Sequence, residues 1–242
     1  MITLIGTGHV FDLRNQIIRI LDDVQPDIVC VELDERRYAA LMQRKNGDVH
    51  ASSNKNASFL YRMLGRFQDS IADQYGVKAG DEMLTGIQFA HDHQRPIAFI
   101  DVPADRMFAR MLKEMRFTEK LRLIVSAFGS MFVSKKQVDK EIDKIETNLE
   151  SYLEQVGDKF PTIKRVLLDE RNEYMVQQLV RAQEDYDNII AIVGDGHVPG
   201  LKNLLDEKDQ PVETIRLKEL RAQQSKPVNA SSASFSIEYE GF

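Results

Sequence analysis

The chain has 242 residues, a mass of 27.7 kDa and 32 Lys and Arg against 38 Asp and Glu, a formal net charge of −6 at pH 7. An acidic chain is repelled by phosphate backbones, which argues against a nucleic-acid partner, and a single cysteine, Cys30, excludes an intrachain disulfide or a cysteine zinc cage. The 43% apolar content suffices for a core, no apolar run reaches the roughly 18 residues of a membrane span, and no secretory leader pattern precedes the first apolar segment, so a cytoplasmic protein is expected.

Ile2–Gly6 reads as a first buried strand. Asn15–Val24 follows as a helix with Ile17, Ile18, Ile20 and Leu21 on one face, and Ile28–Glu32 is a second strand. Helical patterns then cover Glu35–Lys45, Ser58–Gln74 and Asp81–Gln94, before a third strand at Ile97–Asp101. No strand signal appears between Ala104 and Asp187. Helices are expected there over Asp105–Arg116, Glu119–Val133, Ser134–Val156 and Thr162–Glu184. The charged, amphipathic Ser134–Val156 segment packs within the chain or offers a homodimer surface. Strands resume at Ile189–Gly194 and Val212–Leu217. The tail, residues 221–242, is Ser/Gln/Asn-rich and reads as partly mobile, with Ser234–Tyr239 a candidate edge strand. Apolar strands that do not alternate, separated by helices, predict an α/β fold with a mainly parallel sheet covered on both faces. The expected organisation is one domain over residues 1–220, with 104–187 a helical insertion or cap.

Ile5-Gly6-Thr7-Gly8-His9-Val10 recurs as Val193-Gly194-Asp195-Gly196-His197-Val198. Each copy follows an apolar strand and precedes a helix ending in LDDVQP or LDEKDQP, then another strand. This is a duplicated β-turn-α-β unit. Its glycines, Gly6, Gly8, Gly194 and Gly196, suggest positive-φ turns that expose each imidazole.

Ligands of an open α/β sheet sit beyond the carboxyl ends of its strands. At those ends stand His9, Glu32 with Asp34 two residues on, Asp101 and His197. One histidine after a strand is ordinarily a turn residue; a matched pair on one rim beside carboxylates is a metal-type ligand set. Asp101 is alternatively the cap of the next helix. Cys30 reads as a small buried hydrophobe rather than a nucleophile; His50, His91 and His93 read as surface. The loops lack the third glycine of a dinucleotide fingerprint, and no GK[ST] occurs. In the later helix, Arg171 could point at the rim and hold a carboxylate bidentately, as could Arg110.

Five separated stretches, LIGTGHV (4–10), PDIVCVELDERRYAAL (26–41), IDVPADRMFAR (100–110), LLDERNEYM (167–175) and IVGDGHVPGL (192–201), together resemble the TraB/PrgY family. That family groups with GumN, the Tiki proteins, haem-binding ChaN-like proteins and erythromycin esterases. The resemblance spans about Met1–Leu217 and matches two G-x-x-H motifs (Gly6–His9, Gly194–His197), the acid at Glu32, the pair Asp101 and Arg110, and Glu170-Arg171-Asn172. It implies a metal-dependent hydrolase. Tiki proteins are metallopeptidases, and PrgY and TraB shut down a peptide pheromone, so peptides are the implied substrate. Two departures stand out: Phe11-Asp12 replace a Ser often found after the first His, and no carboxy-terminal membrane span is present.

The leading expectation is therefore a peptidase with His9, His197 and Glu32 at a divalent ion (Mn, Co or Zn). Glu32 or Asp101 would be the general base, and Arg110 and Arg171 would orient carboxylates or stabilise an oxyanion. The alternative is a binding module that sequesters a peptide, haem or anionic small molecule on the same rim without turnover.

Overall fold

The structure is a computed structural model that describes residues 1–8, 11–45, 80–122, 154–155 and 157–224. His9, the expected helix Ser58–Gln74, most of Glu119–Val133 and Ser134–Val156, and everything after residue 224, including Ser234–Tyr239, lie outside the described residues.

The described elements are β1 (Ile2–Thr7), α1 (Arg14–Val24), β2 (Ile28–Val31), α2 (Glu35–Lys45), α3 (Asp81–Asp92), β3 (Ile97–Phe99) and α4 (Ala104–Glu114), then α5 (Pro161–Lys164), a π-helical turn (Arg165–Asp169), α6 (Glu170–Ala182), β4 (Ile189–Gly194), α7 (Val198–Asp206), β5 (Val212–Ile215) and α8 (Leu217–Gln224). The five strands are all parallel, in the order β3-β2-β4-β1-β5. Their continuous apolar runs follow from burial on both faces. In the central strand β4, Ile190 and Ile192 enter a core with Ile17, Leu21, Met83 and Ile87 of α1 and α3. Ile189, Ala191 and Val193 point the other way, to Met175 and Leu179 of α6 and Leu201 and Leu205 of α7.

The sequence repeat is visible in the topology. The β1–α1–β2 unit steps across β4 on one face, and β4–α7–β5 steps across β1 on the other. That is the arrangement of a two-fold axis running along the strands between β1 and β4. Both helix exits also share a device: a left-handed residue, Gln25 (φ 47°) in one copy and Asp209 (φ 54°) in the other, shortly before a proline.

Two expectations change. The strands end earlier than their polar ends suggested, at Val31, Phe99 and Ile215; after β2 the chain curls tightly, Leu33 N donating to Val31 O at 2.8 Å. The helix expected over Thr162–Glu184 is not uniform. Glu170 N donates to Arg165 O, five residues back, which opens a π turn. One extra residue rephases the helix, so that Val166 enters a small core with Met107, Met111 and Met115 while Met175, Val176 and Leu179 still meet the sheet. Two ion pairs of the same five-residue spacing span the turn, Lys164–Asp169 at 2.9 Å and Arg165–Glu170. Among the described residues no helix is long and apolar enough to cross a membrane.

Candidate functional site at the carboxyl ends of the strands

β1 and β4 are neighbours whose outgoing connections leave toward opposite faces, and such a switch point opens a crevice beyond the strand ends. Both G-x-G-H loops start there. They touch directly: Asp195 N donates to Thr7 O at 2.8 Å. A Cβ on Gly6 would run into Asp195 Oδ1, so this glycine is required by the close approach of the two loops. Asp195 in turn takes Arg216 bidentately (2.8 and 2.9 Å) and accepts from Leu217 N (2.9 Å), tying the second loop to the start of α8.

The glycine expectation is corrected here. Gly80 is the positive-φ glycine among the described residues, so none of the described motif glycines is left-handed. His197 is 5% exposed. It is buried because it stands in right-handed helical geometry at the first turn of α7, beneath α6. Its Nδ1 donates to Asn172 Oδ1 at 2.6 Å. That leaves Nε2, 3.4 Å from Glu32 Oε1, free to take a proton or a cation beside the carboxylate. Gly200 of α7 makes the room for Asn172: a Cβ there would collide with Asn172 Nδ2.

Glu32, just past β2, is buried, and its oxygens are both engaged. Oε2 accepts from Gly194 N at 2.6 Å, and Oε1 accepts from Arg171 Nη2. Burial pushes this carboxyl up, but His197, Arg171 and the Gly194 amide outweigh it and hold Glu32 well below the usual carboxylate range. Arg171 also forks onto Asp101, Nε to Oδ1 at 2.9 Å and Nη2 to Oδ2 at 2.8 Å. Against the cost of its burial, Glu32 and Asp101 raise its own pKa. Arg171 Nη1 donates to Leu167 O on the π turn at 3.1 Å.

Asp101 is not a helix cap. Pro103 holds that position, with no side-chain cap. Instead Oδ1 accepts from Arg171 and Val102 N (2.8 Å), and Oδ2 accepts from Arg171 and from Arg37 Nη1 (2.9 Å). Four donors fill the four lone-pair sites of a carboxylate, so Asp101 anchors arginines. Arg37 was missed because it stands in a charged run, Glu35-Arg36-Arg37, that reads as a solvated face. The available signal was its place in the first turn after a rim strand, where Asp34 caps the helix by accepting from Arg36 N and Arg37 N at 2.9 and 3.1 Å.

Arg110 does not reach these carboxylates. It pairs with Glu170 and, at 3.8 Å, with Glu114; Arg165 pairs with the same two acids. Two arginines and two glutamates thus close a ring between α4 and the start of α6. Cys30 is fully buried, and burial pushes its thiol up to about 12, which makes it an inert apolar residue. His91 and His93 are exposed at the end of α3, before β3 rather than after it, with His93 stacked on Phe89.

The donor chemistry can be compared with a divalent ion. The His197 imidazole has its far nitrogen pinned by Asn172, the usual support of a metal-bound histidine. Two ligands each about 2.1 Å from one tetrahedral ion stand about 3.4 Å apart, which is the His197–Glu32 separation. These two residues fit, although Arg171 already shares the Glu32 charge. Among the described residues no group of three or more His, Cys, Asp or Glu gathers to hold an ion, and His9 falls outside them.

A model of the TraB/PrgY/gumN family matches residues 1–214. The chain belongs to that family. An uncharacterized protein of Methanocaldococcus jannaschii is 30% identical over 210 residues, covering 84% of this chain and 53% of that protein. TraB domain-containing proteins of Homo sapiens and Mus musculus are each 23% identical over 234 residues, covering 82% of this chain and 61% of their own length. The chain therefore spans between half and two thirds of these relatives. As a TraB-family chain it carries the motif residues Glu32, Asp101, Arg171, Asn172 and His197 in one connected cluster, with Arg110 and Glu170 beside it in the arginine–glutamate ring.

Proposed function

We propose that this TraB-family chain is a metal-dependent hydrolase of peptides, with its centre where β1, β2 and β4 end. The observation that carries the reading is the Asn172–His197–Glu32 line: a buried imidazole, fixed at one nitrogen, presents the other to a buried carboxylate. His197, Glu32 and, from the sequence motif, His9 would hold Mn, Co or Zn. Such an ion polarises a scissile carbonyl and lowers the pKa of water.

The chain's own groups divide the remaining work. Asn172 keeps the Nδ1 proton on His197 and so directs the Nε2 lone pair at the site. Arg171 holds Glu32 and Asp101 in fixed relative positions. With Asp101 saturated by four donors, Glu32 is the carboxylate left to meet the ion, and its low pKa keeps it charged to do so. The Arg171 guanidinium offers positive charge for a developing oxyanion. A peptide pheromone-like substrate is part of the same proposal, supported by the family resemblance, and a cytoplasmic location is proposed with it.

Metal analysis of the purified protein, followed by hydrolysis of a peptide library with Mn²⁺, Co²⁺ and Zn²⁺, tests it. Wild type is expected to bind an ion and cleave, and His9→Ala/His197→Ala to do neither. Identical behaviour of the two proteins, with no ion and no turnover in either, rejects the proposal. The full engagement of Glu32 by Arg171 and Gly194 favours the second reading, a module that binds without turnover. Recovery of a bound peptide chemically unchanged selects it.

A further inference from the structure

A cleft of about 360 Å³ lies between α4 and the π turn–α6 segment. Val102, Met107 and Val166 line it as apolar residues, Tyr174 forms a wall, and the Arg110–Glu170 pair belongs to its rim. Arg171 also lines it, while holding Glu32 and Asp101. One guanidinium is therefore shared between this cleft and the buried centre. The volume is at the small end for ligand sites, enough for one side chain with flanking backbone.

We infer that this cleft is the subsite that takes an apolar side chain of the peptide, leucine-, methionine- or phenylalanine-like, next to the bond presented to Glu32 and His197; this rests on the hydrolase reading. Three observations carry it. The lining is apolar where Met107 and Val166 meet, and both residues belong to the same small core, so the floor is rigid rather than a loose surface patch. The two arginines of the lining are already engaged, Arg110 in a ring with Glu170, Glu114 and Arg165 and Arg171 with Glu32 and Asp101, so an acidic side chain would find no unpaired cation there, and Glu173 is the remaining charge of the lining. The continuity with Arg171 places whatever fills the cleft against the group that orients the catalytic carboxylate. The π turn contributes to the floor, because its extra residue is what brings Val166 round to Met107.

Two measurements test this separately from the hydrolase reading. In the first, protein labelled with ¹³C at its methionine methyls is titrated with N-acetyl-leucinamide and, in parallel, N-acetyl-asparaginamide. A Met107→Leu variant identifies the Met107 signal. The Met107 methyl is expected to shift saturably with the leucine amide and not with the asparagine amide. An unmoved signal, or an equal response to both, overturns the subsite. In the second, wild type, Met107→Trp and Tyr174→Ala are profiled on the same Mn²⁺-supplemented peptide library. Filling the cleft with tryptophan is expected to lower kcat/KM for leucine-containing peptides at least about tenfold through KM, with smaller losses for glycine in the same position. Tyr174→Ala is expected to broaden the range of side chains accepted. If wild type cleaves and both variants keep the wild-type profile, the inference fails. If wild type cleaves nothing while Met107 still reports leucinamide, the subsite stands and the hydrolase reading falls.

Discussion

At the scale of single residues, the site is a chain of compensated charges in a poorly hydrated place. Removing one member leaves buried charge undercompensated. Arg171→Met would take the shared guanidinium from Glu32 and Asp101, leaving them the Gly194 and Val102 amides, His197 and Arg37, and is expected to cost about 3–5 kcal/mol in urea unfolding. The pH response follows from the same pairing. Glu32 has its carboxyl pKa lowered by folding, so its contribution is present above the ordinary carboxylate value of about 4.3 and is lost as pH falls through the lower folded value. Urea midpoints measured from pH 6 to pH 3 should therefore drop for wild type, and drop less for Arg171→Met. Asn172→Ala acts differently. It frees His197 Nδ1 and, on the proposed metal site, should weaken Mn²⁺ binding about 10–100-fold in calorimetry, with little effect on far-UV circular dichroism. Glu32, Asp101 and His197 could be read from sequence because polar side chains at the ends of apolar strands are conspicuous, whereas Arg171 was legible as a charge on an inward-packing helix and Asn172 only through the family motif. Arg37 and Gly200 could not, since their parts depend on which strands and helices become neighbours.

At the scale of elements, the helix from Pro161 to Ala182 has to satisfy two cores at once. A continuous α-helix turns about 100° per residue, so deleting Leu168 from the π turn would rotate Val166 and Arg171 relative to each other. They could not both keep their partners, and a loss of about 2–4 kcal/mol is expected in urea unfolding; an unchanged midpoint would show that the wide turn is idle. The same region is stapled by Glu119, whose carboxylate accepts from Thr162 N (2.9 Å), Thr162 Oγ1 (2.8 Å) and Arg116 N (3.0 Å). Burial pushes this acid up, and the Thr162 and Arg116 hydrogen bonds bring it below its usual range. Glu119→Ala should lower stability by about 1–3 kcal/mol in thermal melts at pH 7, and by less at pH 3. The helix itself was legible as an amphipathic run. The π turn was not, because a one-residue phase shift leaves each half with a normal period and only their mutual docking shows it. Glu119 gave no signal either, its partner lying 43 positions further on.

At the scale of the whole molecule, the doubled GxGH signature pointed to two β-turn-α-β units and a mainly parallel sheet, and the five strands stand where the apolar runs do. How the units interlock was hidden, because strand order is set by packing between segments far apart in sequence. The order β2-β4-β1-β5 means that β1 and β2, consecutive in the chain, never touch. Each binds β4 instead, which is supplied some 160 residues after β2. The first hundred residues alone would thus leave a slot in the middle of their sheet. During synthesis this chain must wait, with its central groove open, until its last quarter emerges to drop in as a keystone. A separately expressed 157–224 fragment should likewise rescue an otherwise unstable amino-terminal half.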